Sequence, residues 1–207
     1  MANPLTSNGP RANVRGINTR SRLLDAALGA FATNGFHGTS TRDIAEAAGM
    51  SPAGVYAHFP TKEEVLFRLS LSGHTDVRDL VLAAACATTE PVARLRGVVR
   101  DFVVWHARFH THARVVQYEM AALSAEHAEA IAALRRETQA TVRGVLEDGV
   151  RRRDFAMDDP RTVARALVSL GIDVARWFDP TGPLTPEAIG TEYAELALRM
   201  AGYREEQ

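Results

Sequence analysis

The stretch "GMSPAGVYAHFPTKEEVL", residues 49–66, contains a short predicted helix that is closed at both ends. Ser51 followed by Pro52 is typical of a capped helix start, because a proline at the first helical position loses no hydrogen bond. Pro60 disfavours the helical conformation in the residue before it, so the helix cannot extend further. The stretch therefore predicts a helix over 51–59, roughly two turns long.

Another helix of similar length is predicted directly upstream. Ser40 and Asp43 have the spacing of a capping box, with aspartate in place of the usual glutamate, and predict a helix over 40–48. Gly49 is predicted to end this helix in the left-handed conformation. Before it, apolar residues at helical spacing predict a first helix over 19–34, which an Asn-Gly pair ends.

Two short helices joined by a tight turn form a helix-turn-helix, whose second helix enters the major groove of DNA. We predict that five apolar residues of these helices pack against the first helix: Ile44, Ala45, Ala48, Val55 and Phe59. The outer face of 51–59 then begins with small residues, which permit close approach to base edges. Its shortness and slimness are what entry into a groove requires.

The rest of the chain is also predicted to be helical. Thr61 and Glu64 have capping-box spacing and begin a long helix. No stretch alternates with a period of two residues for long enough to predict a strand. The sequence thus predicts an all-α fold of about nine helices. Beyond the first three, they are expected near 61–87, 91–108, 112–123, 125–152, 160–178 and 186–202.

Charge is distributed unevenly along the 207 residues. The net charge is −1, but residues 1–62 carry six basic and three acidic side chains, a net of +3, so the remainder carries −4. This asymmetry predicts a polyanionic partner for the N-terminal part only. We predict a disordered basic arm over 1–17, a helix-turn-helix domain over 18–66 and a larger helical domain over 67–207.

The compartment follows from what the sequence lacks. No apolar run reaches the roughly 18 residues that a membrane span needs, and the start has no apolar segment of a secretory signal. The single cysteine, Cys86, excludes an internal disulfide and is predicted to be a small buried residue. These features predict a cytoplasmic protein without a membrane partner.

The segment "TRSRLLDAALGAFATNGFHGTSTRDIAEAAGMSPAGVYAHFPTKEEVL" resembles the DNA-binding domain of the tetracycline-repressor (TetR) family of bacterial regulators. The likeness covers about residues 18–66 and includes "F…NGF.GTS", "DIA..AG.S" and "Y.HF..KEE". It implies an all-helical homodimer that binds a palindromic operator in double-stranded DNA. It also implies that the 67–207 domain dimerises and binds a small-molecule effector, which releases the operator.

The resemblance implies a set of DNA-contacting residues. Phosphate contacts are expected from Thr39, Ser40, Thr41, Tyr56, His58 and Lys62. The start of the reading helix is formed by Ser51, Pro52, Ala53 and Gly54. Since the last three offer no side-chain hydrogen bond, direct readout depends on Arg42, on Tyr56 and on apolar contacts with thymine methyl groups. Sequence-dependent DNA shape is expected to carry the rest.

Two further basic features have alternatives. A cation in the first turn of a helix opposes the helix dipole, so Lys62 is predicted to meet an anion there; a solvated lysine is the alternative. The arginines from Arg11 to Arg22 are expected either along the minor groove and phosphates or free in solvent.

Large side chains recur at helical spacing in the middle of the chain, starting with Phe102, Trp105 and Phe109. Such a stripe is typical of a plain core, but the resemblance implies that part of it lines a ligand cavity. The predicted ligand-binding residues are Phe102, Trp105, Phe109, Tyr118, Met120, Arg176 and Trp177. The segment "RWFDPTGPLTPEAIGTEYAELALRMAG" is similar to a branch that senses acyl-CoA thioesters. This likeness makes Arg176 a candidate for the ligand's polar end, with a structural ion pair as the alternative.

Other functions have weaker support. His106 and His110 have a spacing that can chelate zinc, with His112 close by, but no nearby carboxylate or cysteine completes a site, so no metal or cofactor is predicted. A helical enzyme using these histidines with Glu119 lacks any phosphate loop or nucleophile motif, so the chain is predicted not to be an enzyme. A transcriptional activator of the same fold remains the alternative to a repressor.

The apolar faces of 160–178 and 186–202 fit either a four-helix dimer interface or an internal core.

Overall fold

The computed structural model describes the backbone of residues 11–204 and the side chains of residues 19–204. Within this part the chain is helical and has no strand, which confirms the predicted all-α fold. The helices are α1 Arg11–Gly38, α2 Thr41–Ala47, α3 Pro52–Tyr56, α4 Lys62–Cys86, α5 Pro91–Arg108, α6 His110–Tyr118, α7 Ala125–Arg152, α8 Pro160–Trp177 and α9 Pro186–Met200. A short 3₁₀ turn covers Met120–Ala122.

Helix α1 begins earlier than the sequence predicted. Residues 11–17, assigned to a disordered arm, are helical, and the rest of that arm lies outside the described residues. Each residue added to an existing helix contributes one more hydrogen bond, and no proline occurs between Arg11 and Pro52 to stop it. The predicted end is confirmed, because Gly35 interrupts the helix with φ 71°.

The ends of the next two helices follow the predicted capping chemistry. The Ser40 hydroxyl accepts a hydrogen bond from the Asp43 N–H, and the Asp43 carboxylate accepts one from the Ser40 N–H, which completes the capping box. Gly49 has the left-handed φ of 66°. The Ser51 hydroxyl accepts from the Gly54 N–H at 3.2 Å. Helix α3 is shorter than expected and ends at Tyr56.

Two compact units divide the chain between Leu69 and Ser70, within α4; the expected boundary was 66/67. In the first unit α2 packs on α1 and on α3. All five apolar residues of the helix-turn-helix that were predicted to pack against the first helix are buried, with Ile44 at 0% and Phe59 at 1% exposure.

The core of the second unit is built around α5, which packs against α7, α8 and α9. Gly171 of α8 permits one close contact, because a Cβ at this position would lie 2.5 Å from the Phe102 ring. The predicted apolar faces of α8 and α9 are divided. Part of each face, including Leu167 and Ile189, is buried inside the unit, whereas Leu170 and Leu196 remain exposed.

Cys86 is not buried as predicted. It is the last residue of α4 and is exposed, because the buried face of the helix ends with Ala84 and Ala85 directly before it. Among the helices of the described residues, none combines the length and apolar character needed to cross a membrane.

Candidate DNA interface and ligand cavity

The outer face of α3 consists of small or slim residues. Pro52 and Ala53 are exposed and Gly54 is partly exposed, whereas Val55 is buried beneath them. The N-terminal end of this helix therefore presents a narrow surface without a long side chain. Ser51 is exposed as well, although its hydroxyl accepts the helix cap bond.

Two predicted phosphate contacts lie side by side. The hydroxyl groups of Thr41 and Tyr56 are 2.9 Å apart and hydrogen-bonded, which ties the start of α2 to the end of α3. Tyr56 is 51% exposed. One hydroxyl proton is used in this bond, so the pair still has one donor for a phosphate oxygen.

The N-terminus of α2 places the exposed Arg42 beside the capping box of Ser40 and Asp43. The Ser40 N–H, and then its hydroxyl at 2.8 Å, hydrogen-bond the Asp43 carboxylate and hold the pKa of Asp43 below its usual value. Arg42 is exposed, and no hydrogen bond or ion pair holds it within the described part of the chain. Its side chain is therefore available to a partner.

The position of Thr39 differs from the one that a phosphate contact requires. Its side chain is 1% exposed, and its hydroxyl lies 2.7 Å from the Gly35 carbonyl and 3.1 Å from the Ala30 carbonyl. The hydroxyl satisfies carbonyl groups near the break in α1 and cannot reach a phosphate. The resemblance implied a phosphate contact for Thr39, but its buried hydroxyl does not provide one, because a resemblance in sequence does not show which way a side chain faces.

The ammonium group of Lys62 is bonded to main-chain carbonyls within the protein. It donates to the carbonyls of Phe36 and Thr39, both at 2.6 Å, and lies 4.2 Å from the centre of the Phe36 ring. These carbonyls follow the break in α1 and supply the partial negative charge that the dipole argument required. The alternative of a solvated lysine is wrong, while a phosphate contact through the remaining proton stays a prediction.

The described arginines of α1 pack on the helix-turn-helix. Arg22 donates to the Ala48 carbonyl at 2.9 Å, at the end of α2. Arg20 donates to the His58 carbonyl at 3.4 Å and lies over the Phe59 ring at 5.3 Å. Both hold the reading helices against α1, a role that neither sequence-based alternative anticipated. The side chains of the arginines before residue 19 lie outside the described residues.

The second unit contains a cavity of about 280 Å³, the inner cavity, lined by residues of α4 to α8. This volume lies near the lower end of the range for small-molecule sites. Phe102 and Trp105 line it as predicted. Sequence reasoning missed His74, Arg135 and Thr138, which line it as well, because none of them belongs to the aromatic stripe.

Two histidines of the inner cavity are neutral. Burial is the main cause that lowers the pKa of both His74 and His106 to about 4. Nδ1 of His74 lies 2.8 Å from the Ser70 carbonyl, and Nδ1 of His106 lies 2.8 Å from the Phe102 carbonyl. A carbonyl only accepts, so each Nδ1 carries the proton and each Nε2 is left as an acceptor.

A second cavity of about 360 Å³, the outer cavity, shares four lining residues with the inner one: Ala113, Gln117, Ser169 and Ile172. Tyr118 and Arg176 line the outer cavity. The Arg176 guanidinium is bound by both carboxylate oxygens of Asp173, at 2.7 and 2.8 Å. Arg176 therefore forms the structural ion pair that was the alternative to a ligand contact.

Three predicted ligand residues line neither cavity. Phe109 has non-helical φ and ψ of −104° and 33°, which ends α5, so the stripe does not continue along one face. Its ring is 50% exposed and packs on Trp105 with 5.3 Å between ring centres. Met120 lies in the 3₁₀ turn, and Trp177, the last residue of α8, is 40% exposed.

The histidines near the junction of α5 and α6 point to different partners. His106 bonds its own helix, while His110 bonds the Ala107 carbonyl at 3.0 Å and packs on Phe178. In the described part of the chain, these two and His112 do not form a group of mutually close ligand atoms.

Known families match both units. The model of bacterial regulatory proteins of the tetR family matches residues 23–69, and that of the tetracyclin repressor-like C-terminal domain matches residues 88–201. The chain belongs to the TetR family and is a ligand-responsive DNA-binding transcriptional regulator of that family, which confirms the resemblance seen in the sequence.

Particular relatives extend this similarity over most of the chain. The HTH-type transcriptional repressor KstR2 of Mycobacterium tuberculosis is 32% identical over 194 residues, covering 86% of this chain and 90% of the relative. A solved regulatory protein of the tetR family from Rhodococcus RHA1 superposes with a TM-score of 0.86 at 41% identity, covering 90% of this chain and 98% of that one. The solved ketosteroid transcriptional regulator KstR2 of M. tuberculosis has a TM-score of 0.82 at 27% identity, covering 89% and 95%.

Proposed function

We propose that this regulator is a repressor that binds a palindromic operator as a homodimer and leaves it when a small apolar or acyl-CoA-type ligand enters the inner cavity. The observation that carries the proposal is an apolar-lined cavity in a unit separate from the helix-turn-helix. The similarity to KstR2, named as a repressor and as a ketosteroid regulator, supports both the sign of regulation and an apolar ligand. The protein would act on cytoplasmic DNA.

The proposed DNA contacts come from α2, α3 and the start of α4. Arg42 is the candidate for base readout, because it is exposed and unpaired among the described residues. Phosphate contacts are proposed for Ser40, Thr41, Tyr56, His58 and Lys62. The small residues from Ser51 to Gly54 would allow α3 to approach the base edges closely.

The proposed dimer interface uses the apolar surface that α8 and α9 leave uncovered. Leu170, Trp177 and Leu196 are each between 37% and 40% exposed. Burying such side chains stabilises an interface by roughly 25 cal/mol per Å² of apolar area. A second copy presenting the same surface would cover them with two-fold symmetry.

The proposed switch depends on the spacing of two reading helices. A dimer must place them about 34–36 Å apart, or a multiple of that, to meet successive major grooves. A ligand that favours a different spacing prevents both reading helices from contacting the operator at once. Losing the contact of one helix removes the avidity of the dimer. The operator must then weaken ligand binding by the same factor.

The test is selection of operator DNA by the purified protein, followed by gel-shift titration with a panel of acyl-CoA thioesters and free acids. We expect a palindromic site and its release by members of the panel. A reporter driven by that site should rise when the regulator is deleted; a fall would make the protein an activator. No selected site, or no ligand effect on a selected site, would contradict the proposal.

A further inference from the structure

The inner cavity has basic residues and no acidic ones in its lining. Arg135 and Arg165 belong to this lining, and no described residue that lines it is an aspartate or a glutamate. The two histidines are neutral and add no charge of either sign, so the arginines set the charge of the lining. A low-dielectric cavity with this charge balance attracts an anion.

Arg135 lacks a counter-ion. Its guanidinium donates to the side-chain oxygen of Gln117, and in the described part of the chain no carboxylate pairs with it. Its neighbour Arg136, in contrast, pairs with Glu129 at 2.6 Å. Burial lowers the pKa of Arg135, although an arginine stays charged at neutral pH. Leaving a partly buried cation unpaired is unfavourable, so an anionic ligand group would stabilise this site.

The position of Arg135 fits a ligand that has one polar end. Gln117, its hydrogen-bond partner, lines both cavities, whereas Arg135 itself lines the inner one. The same lining contains apolar and aromatic residues, including Val77, Phe102 and Trp105. The inner cavity therefore offers apolar surface together with a cation.

We infer that the inner cavity binds its ligand through a carboxylate that pairs with Arg135, while the apolar body of the ligand packs on Phe102 and Trp105. This inference rests on the proposed ligand-responsive function and narrows the ligand to an apolar carboxylic acid. A carboxylate offers two oxygens that match the guanidinium fork, whereas a thioester offers one neutral oxygen. Arg176, the candidate from the sequence, already binds Asp173.

The experiment measures binding to the full chain by titration calorimetry without DNA. The probes are straight-chain carboxylates from hexanoate to dodecanoate, their primary amides and their CoA thioesters. Hydrogen bonds to a charged group predict that the best acid binds about ten- to a hundredfold more tightly than its amide. Arg135→Gln should remove this preference, and Arg135→Lys should retain part of it.

Arg136→Gln is the matched control, because Arg136 is adjacent, exposed and already paired with Glu129. It should leave the preference unchanged. The inference is overturned if no acid binds, if the amides bind equally well, or if Arg135→Gln keeps the preference, each with melting curves that show folded protein. Operator release is measured separately. If acids bind through Arg135 but do not release DNA, only the proposed repressor switch is contradicted. If ligands release DNA and bind Arg135→Gln as tightly as the parent protein, only this inference is contradicted.

Discussion

Arg42 and Lys62 are cations in the helix-turn-helix unit, but their surroundings differ. Lys62 is held by two main-chain carbonyls, whereas Arg42 is exposed with no bonded partner among the described residues. A cation that the fold does not use can form a base contact without losing an internal bond. We therefore propose Arg42 for specific readout, whereas Lys62 already bonds two carbonyls within the protein.

For Lys62→Ala we expect a loss of stability, because two carbonyls lose a charged donor. The free energy of unfolding should fall by about 1.5–3 kcal/mol, the range for hydrogen bonds to charged groups. If the ammonium also meets a phosphate, the slope of log affinity against log salt should become less steep by about one. Denaturant melts and salt titrations separate the two roles. Unchanged stability contradicts the carbonyl role, and an unchanged slope contradicts the phosphate role.

Arg42→Ala should cost about 1–3 kcal/mol on the selected operator, the value of a good base contact. The variant should fold normally, since Arg42 holds no other described residue. Preference at one base pair in each half-site should relax, which competition gel shifts with single-base variants would measure. An equal loss on random DNA would show that Arg42 contacts the backbone only.

The predictable interactions were those between near neighbours. Ser40 with Asp43 and Ser51 with Gly54 are three residues apart, and local spacing is sufficient to predict such bonds. The bonds from Lys62 to Phe36 and Thr39 span 26 and 23 residues. They depend on how α1 and α4 pack, which no local pattern contains, so sequence reasoning predicted the need for an anion and not its identity.

At the scale of elements, the turn between α2 and α3 depends on Gly49. A side chain at φ 66° meets its own backbone, so Gly49→Ala should destabilise the fold by about 1–2 kcal/mol. Operator affinity should fall with it, because the turn sets the angle of α3. Gly29→Ala is the control: an added Cβ there has no atom within 4 Å, and alanine inside a helix should stabilise by about 0.5–1 kcal/mol. Equal effects in denaturant melts would contradict the role of the turn.

The packing of α4 and α5 should be sensitive to acid through His74 and His106. Both folded-state pKa values are about 4, below the usual 6.5, so the fold favours the neutral forms. The contribution of the two neutral histidines to the free energy of unfolding is fully present above pH 6.5 and is lost as the pH falls towards 4. Between pH 7 and 5 the loss should be about 1–2 kcal/mol for each histidine.

His106→Gln should reduce the loss of stability between pH 7 and pH 5, because one of the two titrating groups is gone. Denaturant unfolding at both pH values measures it. His37→Gln, a change at an exposed histidine, should leave the loss as large as in the unchanged protein. A loss that is the same in both variants would contradict the assignment.

Helix ends were predictable where capping residues or prolines mark them. The starts of α8 and α9 at Pro160 and Pro186 were predicted to the residue. The end of α5 at Arg108 was expected as well, whereas α6 begins at His110 and not near residue 112. Phe109 lies just beyond the predicted end of its helix, and it was placed in the cavity only because its spacing continues the stripe of Phe102 and Trp105.

For the whole molecule, we propose that DNA binding and ligand binding belong to different units, so ligand response and operator affinity should be separable by mutation. Trp105 lines the inner cavity, is partly exposed and packs on Phe109 and His106. Removing its ring enlarges the cavity in the second unit and changes nothing in the reading helices of the first. In the proposed switch, ligand and operator are coupled through the equilibrium between two states of the dimer, and that coupling is reciprocal.

Trp105→Ala should therefore bind the operator with nearly unchanged affinity when ligand is absent, and should need a different ligand concentration for release. Gel-shift titration with the acid and thioester panel measures both quantities. Leu82→Ala, which trims an exposed apolar side chain of α4, should alter neither. If Trp105→Ala loses operator binding outright while it remains folded, the ring determines the DNA-binding state of the dimer. If Trp105→Ala keeps both the operator affinity and the ligand response of the parent protein, the ligand does not bind where Trp105 lies.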